Sequence, residues 1–291
     1  MVDAPDVPEP QRPSRTKPAR RLLHLWVIEQ AGEIERLDPL VRELDPSGVH
    51  GMRKACRRLR GGLATCRPLV DRDRTDPIRE ELRWLARTLG PARDDEVVGT
   101  RIEQLLGAEE ADTGLAHRAL ARHVHARADH NRAVLGEALG SQRYADLRTS
   151  LDRLGADPPW TAQADRPARD VLPELVRQEG KRMRRRRREA EDPHEVRKAA
   201  KRLRYAYELV EPVWRAEAKG PREAAGRLTS VLGERQDTVV ARDWLVTLSA
   251  GVRSGRAGFV LGRIHAQEQQ RELELLDEAD SVWQELKALS W

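Results

Sequence analysis

The sequence predicts an all-α protein made of two four-helix bundles, related by an internal repeat and packed with pseudo-twofold symmetry. Three observations carry this reading. Apolar residues recur at intervals of three and four, as in Leu22, Leu25 and Trp26 or Leu82, Leu85, Ala86 and Leu89, the period of a helix with one buried face. The aromatic and β-branched alternation that marks a strand is scarce, with aromatics at 4%. Two segments also match at a constant offset of 144 residues, where His50-Gly-Met-Arg53-Lys54-Ala-Cys-Arg57-Arg58-Leu59-Arg60 aligns with His194-Glu-Val-Arg197-Lys198-Ala-Ala-Lys201-Arg202-Leu203-Arg204. A repeat at that spacing points to a duplicated unit of about 140 residues rather than a solenoid of short repeats.

Taken in order, residues 1–19 read as a disordered, proline-rich tail. The stretch from Met1 to Pro18 carries Asp3, Asp6 and Glu9 and has no apolar run of the signal-peptide kind. Helices are expected over 20–44, 48–70, 76–107 (broken at Gly90-Pro91) and 113–154. Gly155–Pro167, with Pro158-Pro159, divides the chain into repeats 20–157 and 165–291, and further helices are expected over 168–190, 193–215, 221–250 and 256–289. Asp45-Pro46-Ser47 and Asp192-Pro193 supply start signals for the two matched helices. The likeness continues downstream at an offset of 143, where Leu89-Gly90 matches Leu232-Gly233 and Arg93-Asp94 matches Gln236-Asp237.

Composition narrows the function classes. Apolar residues at 39% allow a real core, and 35% charged residues fit a soluble protein rich in amphipathic helices. No apolar run approaches the roughly 20 residues of a membrane span, so no membrane association is expected. Cys56 and Cys66, about 15 Å apart along a helix, are too distant for a disulfide, and two cysteines make no zinc site, so reduced thiols and a cytoplasmic protein are expected. The net charge of +5 conceals segregation: Gly48–Arg74 nets +6 and Asp165–Arg204 nets +7. Of 53 basic residues only 7 are lysines, and arginine is the side chain whose rigid fork matches phosphate and carboxylate oxygens. Clustered positive charge of this kind is the footprint of a polyanion.

On a helix, His50, Arg53, Lys54, Arg57, Arg58 and Arg60 fall within an arc of about 160°, opposite Met52, Cys56, Leu59 and Leu63. The second copy places His194, Arg197, Lys198, Lys201, Arg202 and Arg204 opposite Val196, Ala200, Leu203 and Tyr207. Like charges at three and four residues destabilise a helix, a cost an anion would relieve. These twelve residues are the primary binding candidates. Arg182, Arg185 and Arg188, from the run Lys181–Arg188, and Arg20 and Arg21 are added to them. His50 and His194 head the two stripes, where they would donate to phosphate. His117, His123, His125 and His130 lack the spacing of a helical metal pair, and no metal or cofactor is expected. Asp94, Asp95 and Asp237 suggest helix caps or ion pairs with a stripe arginine.

These motifs resemble the CHAD family, the conserved-histidine α-helical domains, from about Arg20 onward. The resemblance rests on the two His-x-x-Arg stripes, above all Asp192-Pro193-His194 to Tyr205. It also rests on the Leu-Gly-x-x-Arg-Asp and Leu-Gly-x-x-Gln-Asp segments, on Ser141-Gln-Arg143-Tyr144 and on Gly262-Arg263. It implies two four-helix bundles with pseudo-twofold symmetry around a basic central channel, inorganic polyphosphate as partner, and association with polyphosphate granules. The residues agree with that ligand class: repeated cations, with Tyr205 the one aromatic near them, suit a phosphate chain better than single-stranded nucleic acid, whose binders offer stacking platforms. Some relatives join this domain to a triphosphate hydrolase carrying Glu-x-Glu-x-Lys. Neither Glu33-Ile-Glu35 nor Glu272-Leu-Glu274 fits that motif, and no P-loop occurs. The sequence therefore predicts a non-catalytic binder of polyphosphate and of other polyanions. The alternative is a helical nucleic-acid-binding protein using the same faces, since duplex backbones also present phosphates.

Overall fold

The computed structural model describes residues 14–109 and 113–289. Among them it forms ten α-helices, two short 3-10 turns and no strand beyond two isolated bridges. The helices are α1 (Arg20–Arg42), α2 (Pro46–Thr65), α3 (Arg72–Thr88), α4 (Gly90–Gly107), α5 (Gly114–Gly140), α6 (Gln142–Ala156), α7 (Ala168–Glu189), α8 (Pro193–Val210), α9 (Arg215–Ala250) and α10 (Gly255–Leu289).

The two basic helices start as their sequences dictate. Asp45, in extended backbone, accepts a hydrogen bond from the Gly48 amide, and Pro46 opens α2. Asp192 accepts from the His194 amide at 2.8 Å, and Pro193 opens α8. The carboxylates satisfy free amides, and proline needs no amide partner in the first turn. Leu44, at φ 57, takes the left-handed turn that delivers the chain from α1 into this cap.

The first half differs from expectation in its segmentation. The break expected at Gly90-Pro91 is present, with α3 and α4 meeting at Leu89 and Gly90 and Pro91 in the first turn of α4, but α3 begins earlier than expected, at Arg72. Where 113–154 was expected as one helix, Ser141 turns extended at ψ 152 and caps α6 by accepting from the Tyr144 amide. The matched helices α9 and α10 of the second half run unbroken for 36 and 35 residues. Pro68 diverts the end of the expected 48–70 helix into a 3-10 turn. Residues 1–13 of the expected tail lie outside the described residues. Residues 14–19 are held rather than loose: Arg15 donates to the Val213 carbonyl at 2.8 Å and to Glu217 at 2.7 Å, and the Ala19 amide donates to the Arg166 carbonyl.

Two apolar clusters hold the helices. The larger gathers α1, α2, α3, α6, α7, α8, the C-terminal part of α5, the N-terminal part of α9 and the C-terminal part of α10. The smaller takes two helices from each half: Val98, Ile102 and Leu106 of α4, Ala116 and Leu120 of α5, Trp244, Leu245 and Leu248 of α9, and Val260, Leu261 and Ile264 of α10. The buried clusters thus run across the two halves of the chain as well as within them.

Close approach between α1 and α2 depends on missing side chains. A Cβ on Gly48 would stand 2.5 Å from Leu40 Cβ and 3.0 Å from the Leu40 carbonyl carbon, whereas one on Gly51 would meet only the mobile Leu37 Cδ1 at 2.6 Å. Gly48→Ala is expected to cost about 1–3 kcal/mol, because backbone has to move. Gly51→Ala should lie near neutral, the rotamer cost offset by up to about 1 kcal/mol of helix propensity. Urea unfolding of the two variants checks the difference.

Candidate functional site

The helix positions of the stripes decide what each side chain does. Taking His50 as zero, Arg53, Lys54 and Arg57 lie within about 60° of it, while Arg58 and Arg60 sit at the two edges of the arc, near +80° and −80°. The central residues of both stripes, Lys198 excepted, face one another across a cavity between α2, α4, α8 and α9. It has two connected parts, of about 480 Å³ and 430 Å³, which share Arg53, Arg57, Asp94, Arg197, Lys201 and Asp237. His50, Lys54 and Arg204 line the first part and His194 the second. Eight of the twelve stripe residues therefore meet in one place.

The other four do not. Arg58 leaves the cavity to pair with Glu208 of α8 at 2.9 Å and to cover the Trp26 ring. Its match Arg202 pairs with buried Glu179 of α7 at 2.7 Å and donates to the Ala64 carbonyl of α2 at 3.0 Å. Both are positioned on the arc edge that meets the neighbouring helix, so they fasten α2 to α8 instead of facing an anion. Arg60, on the opposite edge, is half-buried beside Arg79 and Arg83 of α3. Lys198 is exposed and pairs with Glu195 at 2.6 Å. The added candidates also lie outside the cavity. Arg20 pairs with Asp165, Arg182 lies 3.6 Å from Glu179 and Arg185 3.8 Å from Glu189, while Arg21 and Arg188 are exposed on α1 and α7.

The cavity wall includes residues that the stripes did not predict: Arg93 and Val97 of α4, Tyr205 of α8, and Thr229, Ser230, Gly233 and Glu234 of α9. The matched Leu-Gly pairs were the available signal. A Cβ on Gly233 would stand 2.8 Å from Arg197 Nη2, and Gly90 lies against Arg53 in the same way at 3.7 Å. Each glycine is the floor on which the first arginine of a stripe lies, so Arg93, Asp94 and Asp237, a turn further on, reach the same wall. Asp94 pairs with Arg53 at 2.7 Å, and neither it nor Asp237 caps a helix.

The first part of the cavity carries seven basic side chains against three acidic ones. Arg57, Arg197 and Lys201 have no acidic partner within ion-pair distance among the described residues, Arg204 pairs with Glu208 at 3.2 Å, and Arg53 and Arg197 each leave a buried Nε without a hydrogen-bond partner there. Taking charge out of water beside like charge disfavours the charged form. Burial, reinforced by Arg57, Arg197, Arg53 and Arg204, pushes Lys201 down to about 6. His50 is lowered by burial and then by Arg93, Lys54 and Arg57, and His194 by burial and then by Lys198. Asp237 is raised by burial, with Asp94 adding to it and Arg197 opposing. No group of three or more histidines, cysteines or acids is placed to hold a metal ion among the described residues, and no helix there is long and apolar enough to cross a membrane. Cys56 and Cys66 are buried free thiols pushed up to about 12 by desolvation.

Fold and site together define a class: an all-helical protein whose two matched cationic helices converge on one interhelical cavity. The chain belongs to the CHAD domain family, whose model matches residues 27–246. Uncharacterised proteins from two strains of Mycobacterium tuberculosis, CDC 1551 and H37Rv, are each 29% identical over 268 residues, covering 88% of this chain. The chain spans about half the length of these curated relatives, 51%. Among solved structures, PptA from Streptomyces chartreusis is similar with a TM-score of 0.73 at 21% identity, covering 92% of this chain and 99% of that one. The CHAD domain from the plant Ricinus communis is similar with a TM-score of 0.72 at 22% identity, covering 99% and 98%.

The depressed Lys201 has a stability consequence with a definite sign. The unfolded lysine, with an ordinary pKa near 10.4, takes up a proton that the folded one refuses until about pH 6, so the empty protein loses stability as pH falls between those values. Lys201→Met is expected to stabilise the empty chain at pH 7 and much less at pH 10. Each 1 kcal/mol gained would raise the melting midpoint by roughly 2–4 °C, measurable by calorimetry at both pH values.

Proposed function

We propose that this chain binds inorganic polyphosphate, without catalysis, in the cavity between α2, α4, α8 and α9. The observation that carries the reading is the convergence of Arg53, Arg57, Arg197, Lys201 and Arg204 on one cavity wall, with Arg57 and Lys201 facing it free of acidic partners among the described residues. Guanidinium and ammonium donors at successive positions along two helices suit a string of phosphates, each neutralised by charge-assisted hydrogen bonds. His50 and His194 would serve one phosphate at each end, and Arg93, Ser230 and Thr229 would add donors. Among the described residues Tyr205 is the one aromatic on the wall and no platform for stacking bases is present, which favours polyphosphate over nucleic acid. Membership of the CHAD family supports the same ligand class, and with it a place at polyphosphate granules.

The architecture behind the site is read as two repeats, 20–157 and 165–291, built on four-helix bundles about a pseudo-twofold axis. Matched contacts support it. Gly61 and Tyr205, equivalent at the offset of 144, touch each other, as residues on an axis must. Arg58 reaches residue 208 of α8 while its equivalent Arg202 reaches residue 64 of α2, the equivalent of 208.

Reversing two central cations tests the reading. Arg57→Glu with Lys201→Glu should abolish binding of long-chain polyphosphate at moderate salt. Wild-type affinity should fall with salt at a log–log slope of about −3, by analogy with the slope of about −0.7 per phosphate contact on single strands. Unchanged binding by the double variant, or equal displacement by DNA and by polyphosphate at equal phosphate concentration, would remove the assignment. Because an anion raises the depressed His50, His194 and Lys201, binding should also take up protons near neutral pH and tighten from pH 8 to pH 6. Titration calorimetry in buffers of different ionisation enthalpy reads this directly.

A further inference from the structure

The seven lysines of this chain are Lys17, Lys54, Lys181, Lys198, Lys201, Lys219 and Lys287. Six of them are exposed, and Lys201 alone is half-buried. It stands at the centre of the cavity, in the wall of both of its parts. The groups around it come from every neighbouring helix: Arg53 and Arg57 of α2, Arg197 and Arg204 of its own helix, Asp94 of α4 and Asp237 of α9. Asp94 is engaged by Arg53, and no acid lies within ion-pair distance of the Lys201 ammonium among the described residues. A lysine held among cations and partly withdrawn from water is the arrangement that turns an ammonium into a nucleophilic amine. Its low proton affinity agrees with this.

We infer that Lys201 is an acyl-acceptor lysine, modified by acyl phosphates whose phosphate group is held by Arg57 and Arg197. The inference rests on the anion-binding reading of the cavity and extends it to a second ligand class. In the reaction the Lys201 Nζ lone pair attacks the acyl carbon, a C–N bond forms and the C–O bond to phosphate breaks. The proton lost from nitrogen leaves with the departing phosphate, and nothing is oxidised or reduced. The guanidiniums that hold the phosphate also stabilise the charge it gains as it leaves. A small acyl phosphate fits the cavity of about 480 Å³. The held phosphate raises the proton affinity of the amine, so the neutral fraction is what reacts and the rate climbs with pH; the product is a neutral amide that no anion can charge. Acylation therefore removes one cation from the wall and weakens binding of phosphate chains, a covalent switch at the site itself.

The test uses the full chain, acetyl phosphate at pH 7, and peptide mass spectrometry to follow all seven lysines in one sample. Lys201 is expected to be acetylated on the order of tenfold faster than the exposed lysines. An uncharged acetyl ester run in parallel should show a smaller preference for Lys201, because it has no phosphate to be held. Equal rates at Lys201 and the exposed lysines, or the same preference with both reagents, would overturn the inference. Tripolyphosphate binding by the unmodified chain, measured separately by calorimetry, keeps the two readings apart. Binding without selective acetylation sinks this inference alone, and selective acetylation by acetyl phosphate without tripolyphosphate binding sinks the polyphosphate reading alone.

Discussion

Mutual repulsion among Arg53, Arg57, Arg197 and Lys201 is the constraint around which this molecule is organised. Four cations brought off the surface into one interhelical space lose hydration and repel one another, and nearby acids relieve only part of this. The depressed Lys201 and Arg197 and the lowered histidines at the two ends of the cavity are its signature. A helix pair carrying such a face would separate if nothing else joined it. The structure must therefore hold α2 and α8 together by means that do not use the cavity.

It does so by giving arginine two jobs according to its angle on the helix. The central residues of each stripe other than Lys198 face the cavity, while Arg58 and Arg202, one edge further round, bind the opposite helix through Glu208 and the Ala64 carbonyl, and Arg202 also pairs with Glu179 of α7. Gly61 lets α2 approach α8 at Tyr205, where a Cβ would stand 2.9 Å from the ring. The far wall is held in both clusters, since the N-terminal part of α9 packs in the larger one with α2 and α8. α4 and α9 enter the smaller apolar cluster with α5 and α10, and Arg101 of α4 makes a two-pronged pair with Glu268 of α10, which is 2% exposed. The cationic space thus lies beside two apolar clusters that share α9, and repulsion inside it works against packing in both.

This explains which features could be read from the sequence. The helical period, the duplicated stripe and the two Asp-Pro starts are local patterns, and the helices at Pro46–Thr65 and Pro193–Val210 follow them. The central stripe residues were legible for the same reason, since an angle on a helix is fixed by spacing alone. Arg58, Arg60 and Arg202 were not separable from them, because an edge position goes to the cavity or to a neighbour only once that neighbour is in place, and Lys198, at a central angle, was lost to the local carboxylate of Glu195. Arg204 shows the limit well: it occupies the same edge as Arg60, yet it lines the cavity while Arg60 turns toward Arg79 and Arg83. The break at Ser141 was hidden because serine is compatible with a helix interior until its hydroxyl finds the Tyr144 amide. Gly90 and Gly233 were visible as a repeated pair, but their role as floors under Arg53 and Arg197 depends on the packing of α4 and α9 over the stripes.

The difference between the two matched central positions completes the picture. Arg57 and Lys201 are equivalent in the repeat and both line both parts of the cavity. Had both been arginine, the space would hold its full charge at every accessible pH, since a guanidinium does not give up its proton there. With a lysine at one of them, the empty cavity can shed one charge and the filled one can regain it. The repulsion that the fold must withstand is then largest when an anion is present to balance it, and smallest when none is. A single ammonium among arginines therefore lets the site be strongly cationic for a ligand and less so for the unliganded fold that must carry it.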